Sequence, residues 1–426
     1  MEHEQKTIRY QSKTHEKLTS LINRVNVESL RTAHKKQKSG KAVGIDGESK
    51  EGYAIELEQK LSNLVERMKK FQYIPKPVRR TYIPKANGSM RPLGIPSYED
   101  RLVQSVIADI LNEIYEPRFL DCSYGFRPER SAHDVVRIIN EAVMRKKVNY
   151  VLEADIKGFF DNLDQSWLMK FLEHDIADKN FLRYVGRFLK AGVMDGTELQ
   201  DSDKGTPQGG LISPVLANVY LHYVLDQWYE LGLKKHLRGE VYYVRYADDF
   251  LLMFQYENEA RMVMALLRER LGKFGLELAE DKTRILSFGK YAGGKEEFDF
   301  LGFTFFNTQT HRGLYRLGVR TSKKKLKAKR LVVKAWLRTR LTAPIADTMR
   351  IINACLIGHA NYYGVNGNFK AVQNFWIYVR ESTYNMLNRR DQKGRLRWEK
   401  FNRIWGFYVQ KPRIAVDIWH YEPKLI

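Results

Sequence analysis

The stretch YVRYADDFLLMF, residues 243–254, sets two aspartates side by side between two runs of strand-forming, mostly apolar residues. Adjacent like charges inside a segment that otherwise belongs in a core restrict the fold more than any other feature of the chain. The runs read as two strands, with Ala247, Asp248 and Asp249 at the hairpin turn between them. Aspartate is a common turn former, so a solvated turn is the ordinary reading of the pair alone. A catalytic reading needs a further carboxylate and a cation.

The rest of the chain supplies the carboxylate. NYVLEADIKGFFDNL, from Asn149, begins as a buried strand and Asp155 ends it; taken alone, Asp155 also suits a helix N-cap. Between the two strands lies KGTPQGGLISP, a glycine and proline loop that opens the helix VLANVYLHYVLDQWYELG. Carboxylates gathered in a core repel one another and their pKa values rise. Mg²⁺ offsets that cost, because a hard cation takes carboxylate and phosphate oxygens. Two such ions clamp the attacking hydroxyl and the leaving oxygens in nucleotidyl transfer. Strand-Asp, glycine-rich loop, strand-Asp-Asp-strand is therefore a pattern suited to that chemistry.

Around this centre the periodicity predicts one or two amphipathic helices over 15–37, the loop AVGIDG, and a helix up to Pro75 and Pro77. It then predicts a hairpin over VRRTYIPKANGSMRPLGIP with ANGS as its turn, and a helix over YEDRLVQSVIADILNEIYEPRF. A helix over 257–274 and a strand pair in EEFDFLGFTF follow, and three helices occupy the region from 323 onward. The order is a helical N-terminal part, a mixed α+β body and a basic three-helix end.

Charge identifies the partner class. The chain has 426 residues, enough for a large core and two or three domains, and its net charge is +22 with a pI near 9.7. From Arg320 to Ile426 there are 23 Lys and Arg against 6 Asp and Glu, a net +17. These cations are interleaved with Trp336, Trp376, Trp398 and Trp405, the combination that nucleic-acid surfaces use for phosphate contact and base stacking. The longest apolar stretch, 211–225, is too short to span a bilayer and carries Pro214, Asn218 and His222, so no membrane partner is expected. The polar start has no signal-peptide core. Two cysteines, Cys122 and Cys355, exclude a disulfide framework and a CxxC zinc site, and a reducing cytoplasmic setting is expected.

The blocks YIPKANGSMRPLGIP, YGFRPERSAHDVV, EADIKGFFDNLD, GTPQGGLISPVLANVYL, YADD, EDKTRI and FDFLGFTF stand in the order and spacing of reverse transcriptases. Nearly the whole chain resembles the bacterial group II intron-encoded reverse transcriptase/maturases. The resemblance implies an α+β right-hand polymerase, with fingers and an antiparallel palm sheet, followed by a basic three-helix thumb. It divides the chain into an N-terminal helical extension and loop (1–50), fingers with part of the palm (51–150), palm with inserted helices (151–315), helical thumb or maturase domain (316–388) and a basic C-terminal segment (389–426). It implies an RNA-directed DNA polymerase that extends a DNA primer on an RNA template with two Mg²⁺ ions and dNTPs. Binding of the intron RNA to assist splicing and retrohoming is implied with it, in a bacterial cytoplasm and on the nucleoid when on DNA.

Residue by residue, the resemblance makes Asp155 and Asp248 the metal ligands, with Asp249 beside them in a weaker role. Lys85 and Arg91 on the fingers hairpin would bind the triphosphate. Thr206, Pro207, Gln208 and Gly209 would line the nucleotide pocket. Phe159, ahead of Phe160, would pack under the sugar and exclude a 2′ hydroxyl, and Lys282 would lie near the primer grip. Arg389, Arg390, Lys393, Arg395, Arg397 and Lys400 are the expected RNA-docking cations. Because the sequence ends at Ile426, no His- or Cys-rich endonuclease domain is expected. Two other readings share these residues: a domesticated relative in phage defence, retroelement diversification or DNA repair, and a splicing maturase that binds RNA without polymerising.

Overall fold

A computed structural model of the chain describes residues 17–84, 90–196, 198–200, 204–205, 209–390 and 396–420. Helices α1 (Val27–Lys36), α2 (Lys50–Ala54) and α3 (Leu57–Lys69) form the N-terminal part. Strands β1 (Val78–Pro84) and β2 (Met90–Ile95) make the expected hairpin, with Ile83 opposite Arg91. Its turn, which holds Lys85, lies outside the described residues. Helices α4 (Tyr98–Tyr115) and α5 (Ala132–Arg145) lead to β3 (Tyr150–Ala154), which ends one residue before Asp155. Then come the short α6 (Phe159–Asn162), α7 (Gln165–Asp175), α8 (Lys179–Leu189) and strands β4 (Val193–Asp195) and β5 (Glu198–Gln200). β4 joins β1 in parallel, so the first sheet runs β2-β1-β4-β5.

Helix α9 (Ser213–Leu221) continues as π-helix over His222–Asp226 and Trp228–Gly232, a widening that its apolar pattern did not announce. Strands β6 (Val241–Tyr246) and β7 (Asp249–Phe254) are the two runs of the hairpin, followed by α10 (Glu257–Lys273) and β8 (Arg284–Ser287). The second sheet is antiparallel in the order β6-β7-β3-β8. Side chains alternate across a strand. Phe250, Leu252 and Phe254 of β7 enter one core with α4, α7, α8 and α9, while Leu251 and Met253 enter another with α5. Burial on both faces explains why FLLMF is apolar without alternation.

Strands β9 (Glu297–Phe300), β10 (Phe303–Gln309) and β11 (Tyr315–Thr321) form a third sheet behind α5. Its last strand was not foreseen, and it carries the sheet beyond residue 315. The expected three basic helices are α11 (Lys323–Arg338), α12 (Ile345–Tyr363) and α13 (Phe369–Leu387). A fourth, α14 (Trp398–Tyr408), packs Phe401 and Trp405 into their core. Among the described residues no helix is long and apolar enough to cross a membrane.

Candidate active site

The antiparallel register brings the aspartates together. Ala154 of β3 pairs with Phe250 of β7, so one step further along the ladder Asp155 stands opposite Asp249. Directly opposed residues have Cβ atoms about 5 Å apart. Tyr246 pairs with Asp249, which leaves Ala247 and Asp248 as the two central residues of a tight turn. The turn is thus one residue shorter than expected, and Asp249 already belongs to β7.

Two of these carboxyls, Asp248 and Asp249, are shifted upward. Asp248 is pushed up by burial first, then by the charge of Asp155. Asp249 moves in the same direction, from partial loss of solvation among its neighbours and then from Asp248 and Asp155, although its side chain is exposed at the start of β7. Four cations answer them, the buried Arg245 acting on Asp248 among them. Lys282 Nζ pairs directly with an Asp155 carboxylate oxygen. The charge of Arg91 on β2 favours ionised Asp248, and Lys325 at the start of α11 favours ionised Asp249. The donor set is all carboxylate, as a hard cation needs. Among the described residues no cage of three or more metal-binding side chains is present. One or two of these carboxylates, with phosphate oxygens of a substrate, would suit a hard divalent cation.

The loop ahead of α9 closes one wall. Thr206, Pro207 and Gln208 lie outside the described residues, but both flanks are in place. At Gly205 a Cβ would stand 2.6 Å from the carbonyl oxygen of Phe160, and at Gly209 a Cβ would stand 2.3 Å from that of Gly94 on β2. Gly209 also has φ +115°, a conformation open only to glycine. The loop is therefore strung between the Phe160 backbone and the fingers hairpin. Leu211 N donates to Gln104 Oε1 at 2.8 Å and ties its exit to α4.

The aromatic pair divides its roles differently from the expectation. Phe159 is 2% exposed, its ring packed on Tyr220 at 6.3 Å between centroids in the main core. Phe160 is half-buried, beside the loop. Of the two rings, only that of Phe160 is partly exposed.

Sequence reasoning missed what holds the turn. Ala247 has φ +57° whereas Asp248 does not share a positive φ, the pattern of a type II′ turn, whose first central position usually carries glycine. A left-handed alanine costs roughly 1 kcal/mol. The Ala247 carbonyl accepts a 2.9 Å hydrogen bond from Nη1 of Arg245, a fully buried guanidinium. Cys122, just ahead of the block YGFRPER, and Tyr124, its first residue, bond the backbone of Arg245 on both sides at 2.7 and 2.8 Å. A Cβ at Gly125 would lie 2.3 Å from Ala247 N, so this segment presses against the turn.

The C-terminal cations separate. Arg389, Arg397 and Lys400 are exposed, whereas Arg390 is half-buried and donates to the Arg340 carbonyl at 2.5 Å, tying the end of α13 to the loop after α11. Lys393 and Arg395 lie outside the described residues. Trp398 stacks on Tyr384 at 3.8 Å with the Arg380 guanidinium 5.2 Å from its ring centre, so an aromatic and cationic surface flanks the exposed group.

Residues 83–305 match the family described as reverse transcriptase (RNA-dependent DNA polymerase). The group II intron-encoded protein LtrA of Lactococcus lactis subsp. cremoris is 28% identical over 431 residues, covering 81% of this chain and 69% of that protein. Protein YkfC of Escherichia coli is 32% identical over 313 residues, 66% of this chain and 80% of that one. A solved structure of telomerase from Candida albicans, in complex with a fragment of telomeric RNA, covers 83% of this chain and 65% of its own at 15% identity and a TM-score of 0.45.

Proposed function

The chain belongs to the reverse transcriptase (RNA-dependent DNA polymerase) family, among relatives encoded by group II introns, and from that premise we propose that it extends a DNA primer on an RNA template in a Mg²⁺-dependent reaction. The observation that carries the proposal is the convergence of Asp155, Asp248 and Asp249 at the end of the palm sheet, with the charge of Arg91 on β2 acting on Asp248.

When bound, two Mg²⁺ ions activate the primer 3′ hydroxyl and stabilise the charge that develops on the leaving oxygens. Asp155 and Asp248 would hold them, with Asp249 in support. Lys282 pairs with Asp155 and holds its carboxylate in place beside the turn. Arg91, with Lys85 on the same hairpin, would take the triphosphate oxygens. Gly209 lets the loop backbone approach the incoming nucleotide, with Thr206, Pro207 and Gln208 beside it, and Phe160 would pack under the sugar. The exposed Arg389, Arg397 and Lys400, with Lys393 and Arg395, would dock a structured RNA, and the group II intron relatives make the intron's own RNA the proposed partner. Assistance to splicing and retrohoming follows from that docking.

The test is primer extension on an RNA template with and without Mg²⁺, in the parent and in Asp155→Ala and Asp248→Ala. Loss of a metal ligand should cost several powers of ten in rate while fold and RNA affinity persist. Equal extension by the parent and Asp248→Ala would defeat the assignment.

A further inference from the structure

We propose that Arg245 is a positioning residue for catalysis: it holds the Ala247–Asp248 turn in its left-handed conformation, and Asp226, delivered by the π-helical segment, holds Arg245. The inference rests on the polymerase reading and adds to it a part of the machinery outside the aspartates.

Arg245 lies on β6, where a side chain between Val244 and Tyr246 enters the palm, and both it and Asp226 are 0% exposed. Every arm of the guanidinium is engaged. Nε donates to Asp226 Oδ1 at 2.8 Å and Nη2 to Asp226 Oδ2 at 2.5 Å, a bidentate pair. Nη2 also donates to Ser123 Oγ at 2.8 Å, and Nη1 divides itself between Asn218 Oδ1 at 3.0 Å and the Ala247 carbonyl at 2.9 Å. Asn218 in turn donates to the Gly125 carbonyl at 2.8 Å, and Tyr243 to Asp226 at 3.1 Å. The Ala247 carbonyl begins the peptide that carries Asp248.

A structural ion pair would need only Asp226. This guanidinium spends one arm on the single backbone carbonyl that fixes the turn, and it does so where an alanine occupies the position usually given to glycine. The helix widens to π geometry over His222–Asp226, at the place where Asp226 meets Arg245. Such widening adds a residue to the turn and re-aims the side chains that follow it. The same network reaches Ser123 and Gly125, so the YGFRPER block, β6 and α9 all bear on the orientation of one carboxylate.

The decisive variant is Arg245→Lys, which keeps a charge for Asp226 but lacks the planar fork that serves five acceptor atoms at once. Primer extension and hydrogen exchange over residues 246–250 are measured on the same protein. The expected result is a fall in kcat of about 100-fold, the size that a misplacement near 1 Å produces, with the KM for dNTP and RNA affinity changed less than threefold. Exchange over 246–250 should rise. Adding Ala247→Gly, which removes the left-handed penalty, should recover about tenfold in kcat and slow the exchange. A purely structural role would give neither the split between kcat and KM nor the rescue. Unchanged exchange overturns the inference, as does faster exchange with kcat intact or a double variant no better than Arg245→Lys. If Lys at 245 prevents folding, Asn218→Ala frees one side of Nη1, and a loss of about tenfold in kcat at constant KM is expected; no loss overturns the inference. A parent protein without extension activity, but with the exchange changes, would instead mark failure of the polymerase reading.

Discussion

Replacing each member of the Phe159–Phe160 pair by valine separates a core ring from a substrate-facing one. Phe159 sits at 2% exposure, its centroid 5.3 Å from Phe160 and 6.3 Å from Tyr220, so Phe159→Val opens a void in the main core. Truncating a buried phenylalanine to alanine costs 3–5 kcal/mol, and valine, which retains two of the carbons lost to alanine, should cost about 2 kcal/mol. Phe160 is half-buried, and the same change should cost about 1 kcal/mol or less. Discrimination moves the other way. If the Phe160 ring occupies the space of a 2′ hydroxyl, Phe160→Val should raise ribonucleotide use relative to deoxynucleotide use by about 10–200-fold, the range for a few heavy atoms in a fitted pocket. The assay is the ratio of kcat/KM for a dNTP and its rNTP on one primer and RNA template, beside urea unfolding of both variants. Loss of discrimination in Phe159→Val with Phe160→Val unchanged would refute the assignment drawn from burial, and equal stability of the two variants would refute the packing argument.

Gly209→Ala should raise the KM for dNTP more than tenfold with RNA affinity retained, because its Cβ would lie 2.3 Å from the Gly94 carbonyl and φ is +115°; an unchanged KM would remove the loop from the nucleotide site. His359 is buried between Tyr363 and Phe375, and burial first, then Lys329, pushes its pKa down to about 3. Between pH 6.5 and 3 the unfolded chain therefore takes up a proton that the native state does not, and stability falls as pH falls, by about 2 kcal/mol at pH 5. His359→Leu should gain in urea midpoint relative to the parent between pH 7 and pH 5, and parallel midpoints would count against it. Neutralising Arg389, Arg397 and Lys400 together should flatten the salt dependence of intron RNA binding by up to about three units of slope while sparing short-primer extension at low salt. Arg390→Ala should lower the melting temperature instead, since its guanidinium is held by the Arg340 carbonyl.

Much of the candidate site's arrangement was legible in the order of residues because strand period and charge pattern are written in the same letters. Apolar runs on both sides of Asp248 and Asp249 could only be paired buried strands, and a third run ending at Asp155 supplied their partner. The basic three-helix end was legible from charge and period alone. The π-helical widening was not, since its apolar pattern is also that of an α-helix, and without that geometry nothing joins Asp226 to Arg245, nineteen residues later. The choice between Phe159 and Phe160 was equally closed to sequence. Adjacent residues on a helix differ by about 100° in direction, and the phase of α6 is set by Gly158 at φ +54° and by contact with Tyr220. Lys282 reaches Asp155 across 127 positions, and Arg390 turns inward while Arg389 stays outside. Sequence by itself determined which groups the site contains, because their types and spacing carry the chemistry. Only the tertiary structure decided which of them face the cleft and which hold the others in place, because side-chain direction and burial depend on packing between segments remote in the chain.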